Sequence, residues 1–217
     1  MIFRNLVILA VALFSCNCND SNPNPRTKNY SGISITNSDR FGSVYKDSIG
    51  TEYAYRYIQV IIANDSTIPF HLKIDLPKES HHSTPDNGKD FRVFLLPAAI
   101  TGEDESINDF FFSVIKPFLD KELQKPVTLD TVVNPNKECI INIGYLSESN
   151  SNLEPHPIVL FSKGHNHYFT SIPDSAISKF ALSAKGQLTL LLGLDFYTLG
   201  RDSVRRYSVI PCGKITF

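Results

Sequence analysis

The chain has 217 residues, with 21 Lys and Arg against 22 Asp and Glu and a formal net charge of −1. That balance lacks the basic excess or stripe that a nucleic-acid partner requires, and it gives no long-range field for steering a charged substrate. Hydrophobic residues make up 42% of the chain, enough for one sizeable core, and Trp is absent, which disfavours a sugar-stacking platform unless the nine Tyr serve instead.

The chain opens Met1-Ile2-Phe3-Arg4-Asn5, with one positive charge, and then runs apolar over residues 6–14. These are the charged and apolar regions of a secretory signal. The run is far shorter than the ~20 residues that cross a hydrocarbon core, so a retained transmembrane helix is not expected. The segment ends Leu13-Phe14-Ser15-Cys16, which resembles the lipobox of bacterial lipoproteins. The resemblance implies diacylglyceryl transfer to the Cys16 thiol, cleavage after Ser15, and acylation of the new amino terminus with palmitate-type chains. One such chain binds a bilayer marginally, whereas two or three hold effectively permanently. Residues 19–29, rich in Asn, Pro and Ser, then read as a flexible tether that cannot bury enough surface to fold. The expected organisation is a signal peptide over 1–15, a lipidated tether over 16–29 and one domain over 30–217.

Within that domain most apolar residues recur at period two. Phe70, Leu72, Ile74 and Leu76 alternate with His71, Lys73 and Asp75, and Leu188, Leu190, Leu192, Leu194 and Phe196 repeat the pattern. Strands are expected over 52–63, 70–76, 91–96, 127–133, 138–145, 158–161, 177–182, 188–196, 204–210 and 214–217. Turn formers separate them, among them Asn64-Asp65-Ser66, Asn134-Pro135-Asn136 and Lys185-Gly186. Short strands at such spacings predict a mainly β fold, an antiparallel β-sandwich of immunoglobulin-like or related type. One segment breaks the pattern. Ile107, Phe111, Val114, Ile115 and Phe118 follow helical spacing behind acidic Glu103-Asp104-Glu105, so one or two short helices are expected around 106–124. Pro117 should kink or restart the helix. Phe110, Phe111 and Phe112 cannot all face one core, and one of them could form an exposed contact site.

With Cys16 acylated, Cys18, Cys139 and Cys212 remain, in an envelope compartment that permits disulfides. Strand alternation places Cys139 with Ile141 but Cys212 with Lys214. A Cys139–Cys212 bridge would therefore require a bulge near Pro211 or Gly213, and two reduced thiols are the alternative. His165 and His167 are spaced so that two imidazoles could share a metal, with His156 or Asp195 as a third ligand, although Gly164 and Asn166 favour a solvated turn. His81-His82 lies in a polar loop. Ser113-Val114-Ile115-Lys116 has the spacing of a serine nucleophile and lysine base, but no partner motif accompanies it. No cofactor and no catalytic residue is indicated by any motif.

Five stretches match the pattern Asp-(Ser/Thr)-(apolar or Thr): 47–49, 65–67, 130–132, 174–176 and 202–204. The pattern resembles the acceptor of O-glycosylation in Bacteroidota envelope proteins, which would make Ser48, Ser66, Thr131, Ser175 and Ser203 acceptors. The same dipeptides are also ordinary turn formers. The expectation is an outer-membrane or cell-envelope lipoprotein, on the periplasmic or the surface side, whose domain binds or scaffolds an envelope protein or glycan. The alternatives are an envelope hydrolase, and a metal or small-ligand carrier using His156, His165 and His167.

Overall fold

The computed structural model describes residues 32–77, 81–82, 90–96, 111–121, 128–148, 153–162, 186–198 and 205–217. Ten strands fall within them: β1 Ile33–Lys46, β2 Glu52–Asn64, β3 Phe70–Asp75, β4 His81–His82, β5 Asp90–Leu96, β6 Thr128–Val133, β7 Glu138–Glu148, β8 Leu153–Ser162, β9 Gln187–Thr198 and β10 Arg205–Thr216. They form two antiparallel five-stranded sheets, ordered β1-β2-β7-β5-β4 and β6-β3-β10-β9-β8. The chain crosses between sheets after β2, β3, β5, β6 and β7, and only the β8-β9-β10 meander completes a run of three within one sheet. The fold is the expected antiparallel sandwich.

Alternation fixes which side chains meet between the sheets. Ile58, Val60 and Ile62 of β2, Cys139, Ile141, Ile143 and Tyr145 of β7, and Phe91, Val93 and Leu95 of β5 form one wall of the core. Phe70, Leu72 and Ile74 of β3, Leu190, Leu192, Leu194 and Phe196 of β9, and Ile158 and Leu160 of β8 form the other. Phe91 touches both walls, its ring centroid 5.5 Å from Tyr145 and 5.4 Å from Phe196. Burying each large side chain contributes about 1.5–3 kcal/mol, so this layer drives folding.

Several features depart from the expectations: His81-His82, expected in a loop, form β4 against β5, and three larger differences follow. β1 falls in a stretch where no strand is expected, because past Ile33 and Ile35 its sequence runs Asn37-Ser38-Asp39-Arg40 without alternation. The two strands expected over 204–210 and 214–217 are one, β10, with a register shift between Pro211 and Gly213 against β9. That bulge changes the parity of the strand, so Cys212 joins Ile210 and Ile215 in the core instead of sharing a face with Lys214. The bulge exists, and it brings Cys212 into the core with Cys139 without a disulfide between them; Cys212 donates to the Leu190 carbonyl at 3.5 Å. Finally, Phe111–Ile115 is a π-helical turn that runs directly into an α-helix, α1, over Lys116–Lys121. Pro117 therefore sits in the first turn of α1, where its missing N–H costs nothing, and the restart expected there is the helix itself. The strand expected over 177–182 and the helical residues expected over 106–110 lie outside the described residues.

The sandwich is tied along one edge by a side chain acting as backbone. The Asn37 amide donates to the Leu160 carbonyl at 2.9 Å, and its oxygen accepts the Leu160 N–H at 2.8 Å. β1 and β8 are the edge strands of their sheets, so this pair of bonds occupies one step of an otherwise open β8 ladder.

Candidate functional site

The outer face of the β1-β2-β7-β5-β4 sheet carries a second apolar cluster. Tyr45, Tyr55, Tyr57, Phe94, Leu96 and Leu146 point away from the main core and meet Ile115, Phe118 and Leu119 from above. Phe94 stacks on Phe118 at 5.9 Å and faces Tyr55 at 6.4 Å. The ring lies flat over β7 because residue 144 is glycine, and a Cβ there would stand 2.3 Å from the Phe94 ring. Burial, reinforced by the neighbouring Tyr57 ring, holds the Tyr55 phenol well above its ordinary pKa, so it is neutral at physiological pH.

α1 is fastened at its polar side by three residues. Tyr45 Oη donates to Asp120 Oδ1 at 2.8 Å, Lys116 Nζ donates to Asp120 Oδ2 at 2.8 Å, and the Lys116 ammonium lies 5.5 Å from the Tyr45 ring centre. The lysine hydrogen bond is the main reason the Asp120 carboxyl sits below its ordinary pKa. Tyr45 moves the other way, first through burial and then through the Asp120 acceptor. Lys116 and Asp120 are four apart on the helix, a spacing legible in the sequence, whereas Tyr45 comes from a strand that the sequence pattern does not reveal. The Ser113–Lys116 spacing thus has a structural use: the lysine is committed to Asp120, and Ser113 is exposed.

Beside this clamp the β1–β2 hairpin projects beyond the opposing sheet. Val44 lies on the core-facing side of β1 but is 55% exposed, while Ile33 and Ile35 at the other end of the strand are buried. The turn at the tip is rigid. Asp47 Oδ1 accepts the N–H groups of Ile49 at 3.0 Å and Thr51 at 2.8 Å, and the backbones of Asp47 and Thr51 close the loop at 3.0 Å. Gly50 supplies the positive φ, 93°, that such a closure needs and that side-chain-bearing residues resist. The turn holds Ile49 out with 86% of its surface exposed.

The positions singled out in the sequence are scattered. Ser48 is exposed on this turn. Ser66 is half-buried, its hydroxyl bonded to Asn64 Oδ1 at 2.6 Å and to the Ile68 carbonyl at 2.9 Å. Thr131 faces inward on β6, opposite Leu72. Ser175, Ser203, His165, His167 and Cys16 lie outside the described residues, as do the side chains of Phe110, Phe111, Phe112, His81, His82 and His156. The backbone of β8 does bring residue 156 near Asp195. Its register against β9 shifts between Pro155 and Ile158, so residues 156–157 bulge opposite Asp195. Asp195 is fully buried, directly across from Tyr207 on the outer face of its sheet. Among the described residues no group of three His, Cys, Asp or Glu is placed to hold a metal, and no helix is long and apolar enough to cross a membrane.

No protein-family model, no curated protein and no solved structure matches the chain.

Proposed function

We propose that this protein is a lipoprotein of a Bacteroidota-type cell envelope, held to the bilayer through acylated Cys16, and that its sandwich is a binding module. It presents the β1–β2 tip to an envelope protein or glycan. The observation that carries this reading is Ile49, a large apolar side chain held in solvent by a turn in which the N–H groups of Asp47, Ile49, Gly50 and Thr51 are all bonded. A rigid exposed anchor loses little conformational entropy on binding, which is what an interface centre requires. Exposed Ser48 beside it is the described position that best fits a glycan acceptor. Ser66 and Thr131 fit poorly, because one hydroxyl is occupied and the other faces the core.

The test is a photo-crosslinking residue at position 49 of the full chain in its native envelope, with the same residue at Val132 as control. A discrete adduct from position 49 that is absent from the control supports the reading. No adduct from position 49 in a chain that is folded and membrane-bound overturns it.

A second reading, a metal or small-ligand carrier, rests on the β8 bulge at residues 156–157 beside buried Asp195, since bulges re-aim side chains next to sites. Zinc titration of the full chain followed by calorimetry checks it. Binding that Asp195→Asn and His156→Ala both abolish favours the carrier, and no heat removes it.

A further inference from the structure

Edge strands decide what a sandwich can join, because their outer N–H and C=O groups have no ladder partner. Among the described residues the edges are β1 and β4 of one sheet and β6 and β8 of the other. Three of these are guarded. β4 is two residues long, and β6 is six residues long with an exposed Asp130. β8 lacks donors at Pro155 and Pro157, bulges between Pro155 and Ile158, and is engaged at Leu160 by Asn37. β1 is guarded over its first half by the same Asn37 bonds and by the register shift between Asp39 and Phe41. Past that shift, residues 42–46 carry no proline and no further shift, and their one charge, Lys46, is turned to Glu52 of β2 at 3.7 Å. The ladder fixes which backbone groups of this stretch face outward. The Asp47 N–H donates to the Thr51 carbonyl at 3.0 Å, and hydrogen-bonded pairs alternate with open ones along antiparallel strands. Ser43 and Tyr45 are therefore bonded to Tyr55 and Tyr53 of β2, whereas Gly42, Val44 and Lys46 turn their N–H and C=O groups to the free edge. Val44 combines that open backbone with an apolar side chain that is 55% exposed.

We infer that residues 42–46 pair antiparallel with the same residues of a second copy of the chain, joining two β1-β2-β7-β5-β4 sheets across a two-fold axis at Val44. The occupant follows from this edge being complementary to itself. Pairing about Val44 sets Val44 against Val44 and Gly42 against Lys46, so every residue whose backbone faces outward meets another such residue and each pair exchanges both bonds. The apolar side chain exposed on this edge lands on its own copy, and Gly42 presents no side chain to obstruct Lys46. Moving the axis by one residue would set Val44 against Gly42 or Lys46 and lose the apolar contact. Glu52 keeps Lys46 compensated where it nears the other copy's Arg56, which lies against Gly42. The paired hairpins point in opposite directions, so a dimer offers two Ile49 tips at once. The inference goes beyond the binding reading and stands whether or not Cys16 is acylated.

The test places single cysteines on this edge. Val44→Cys and Lys46→Cys are made in the full chain carrying Cys18→Ser, and the native envelope is oxidised with copper phenanthroline. The two Val44 Cα atoms stand about 5.5 Å apart across the axis, within disulfide reach, whereas the two Lys46 Cα atoms are roughly 14 Å apart. Both positions are exposed, so chance collisions would link them alike. Val44→Cys is expected to give at least about tenfold more covalent dimer than Lys46→Cys, which should match the Cys18→Ser parent. Equal dimer from both, or none from Val44→Cys, overturns the pairing. Amide hydrogen exchange gives a second reading that needs no cysteine. Val44→Pro removes an N–H that β2 does not use, so the hairpin keeps its own ladder while the dimer loses bonds at its axis. The Gly42 and Lys46 amides of the unaltered chain should exchange at least about tenfold more slowly than those of Val44→Pro, with Ser43 and Tyr45 protected in both. Equal rates for Gly42 and Lys46 in the two chains overturn the pairing as well.

Discussion

At the scale of single residues, Asn64 governs the end of the sandwich opposite the β1–β2 tip. It is fully buried, and its amide donates to the carbonyls of Ile68 and Val133 while its oxygen accepts the N–H and hydroxyl of Ser66 at 3.0 and 2.6 Å. Its own backbone completes the junction, donating to the Lys137 carbonyl and accepting from the Asn136 N–H, both at 2.8 Å. One side chain thus joins the β2–β3 turn to the β6–β7 turn, which belong to different crossings between the sheets. Removing it leaves a buried Val133 carbonyl without its partner, and a buried unpaired group costs more than the bond was worth. Asn64→Ala should lower unfolding stability by about 2–4 kcal/mol. A urea midpoint that shifts by less than about a quarter of a molar, with an unchanged slope, would contradict this role. In the sequence, Asn64-Asp65-Ser66 reads as a turn and nothing more, because the Val133 carbonyl that Asn64 also binds is 69 residues away and only the folded chain brings it near.

At the scale of elements, helix α1 is held by packing on one side and by a titratable clamp on the other. The Lys116 and Tyr45 bonds hold the Asp120 carboxyl below its ordinary range, the lysine contributing most. Its contribution is therefore complete above the ordinary carboxylate pKa of about 4 and is lost as the pH falls below it. Tyr45 is shifted upward, by burial first and by the Asp120 acceptor next. Its contribution is complete below the ordinary phenol value of about 10 and erodes as the pH rises beyond it. The Lys116–Asp120 pair is over a third exposed, so that arm is worth under about 1 kcal/mol. Protection factors of the α1 amides, taken against the intrinsic exchange rate at each pH, should fall below pH 4 and above pH 10. Asp120→Asn should flatten the acid limb and Tyr45→Phe the alkaline one, and limbs that persist unchanged in both variants would show that packing alone docks the helix. The elements themselves were unevenly legible. β2, β3, β7 and β9 show clean alternation because one face of each fills the main core. β1 does not, since Asn37 replaces an apolar contact with backbone-like bonds to β8 and the register against β2 shifts between Asp39 and Phe41. The bulge in β10 defeats alternation in the same way, by changing which face Cys212 occupies. The order of strands in each sheet was not legible at all, because partners such as β2 and β7 are chosen by complementary side chains across many residues of chain.

At the scale of the molecule, the two sheets share one interior and should open as one cooperative unit, and the cysteines test that. Cys139 belongs to one sheet and Cys212 to the other, both lie in the same interior cluster, and no disulfide joins them. Burial pushes the Cys212 thiol well above the ordinary range, so even in an oxidising compartment it offers almost no thiolate for exchange. Reaction at Cys139 or Cys212 then requires the sheets to part. In a chain carrying Cys16→Ser and Cys18→Ser, with no reductant present, a thiol reagent should find no reactive group under native conditions and two after denaturation. The native labelling rate should rise with urea in parallel with global unfolding, because the interior is opened as a whole. Two thiols that react at separate rates well below the unfolding midpoint would show that one sheet edge opens alone. The Asn37 bonds to Leu160 argue against such opening at the β1–β8 edge, and Asn37→Ala gives the direct comparison. A denatured chain that titrates none would mean that the bulge at Pro211 and Gly213 serves a bridge after all, and the sandwich would then hold by covalent linkage as well as by its core.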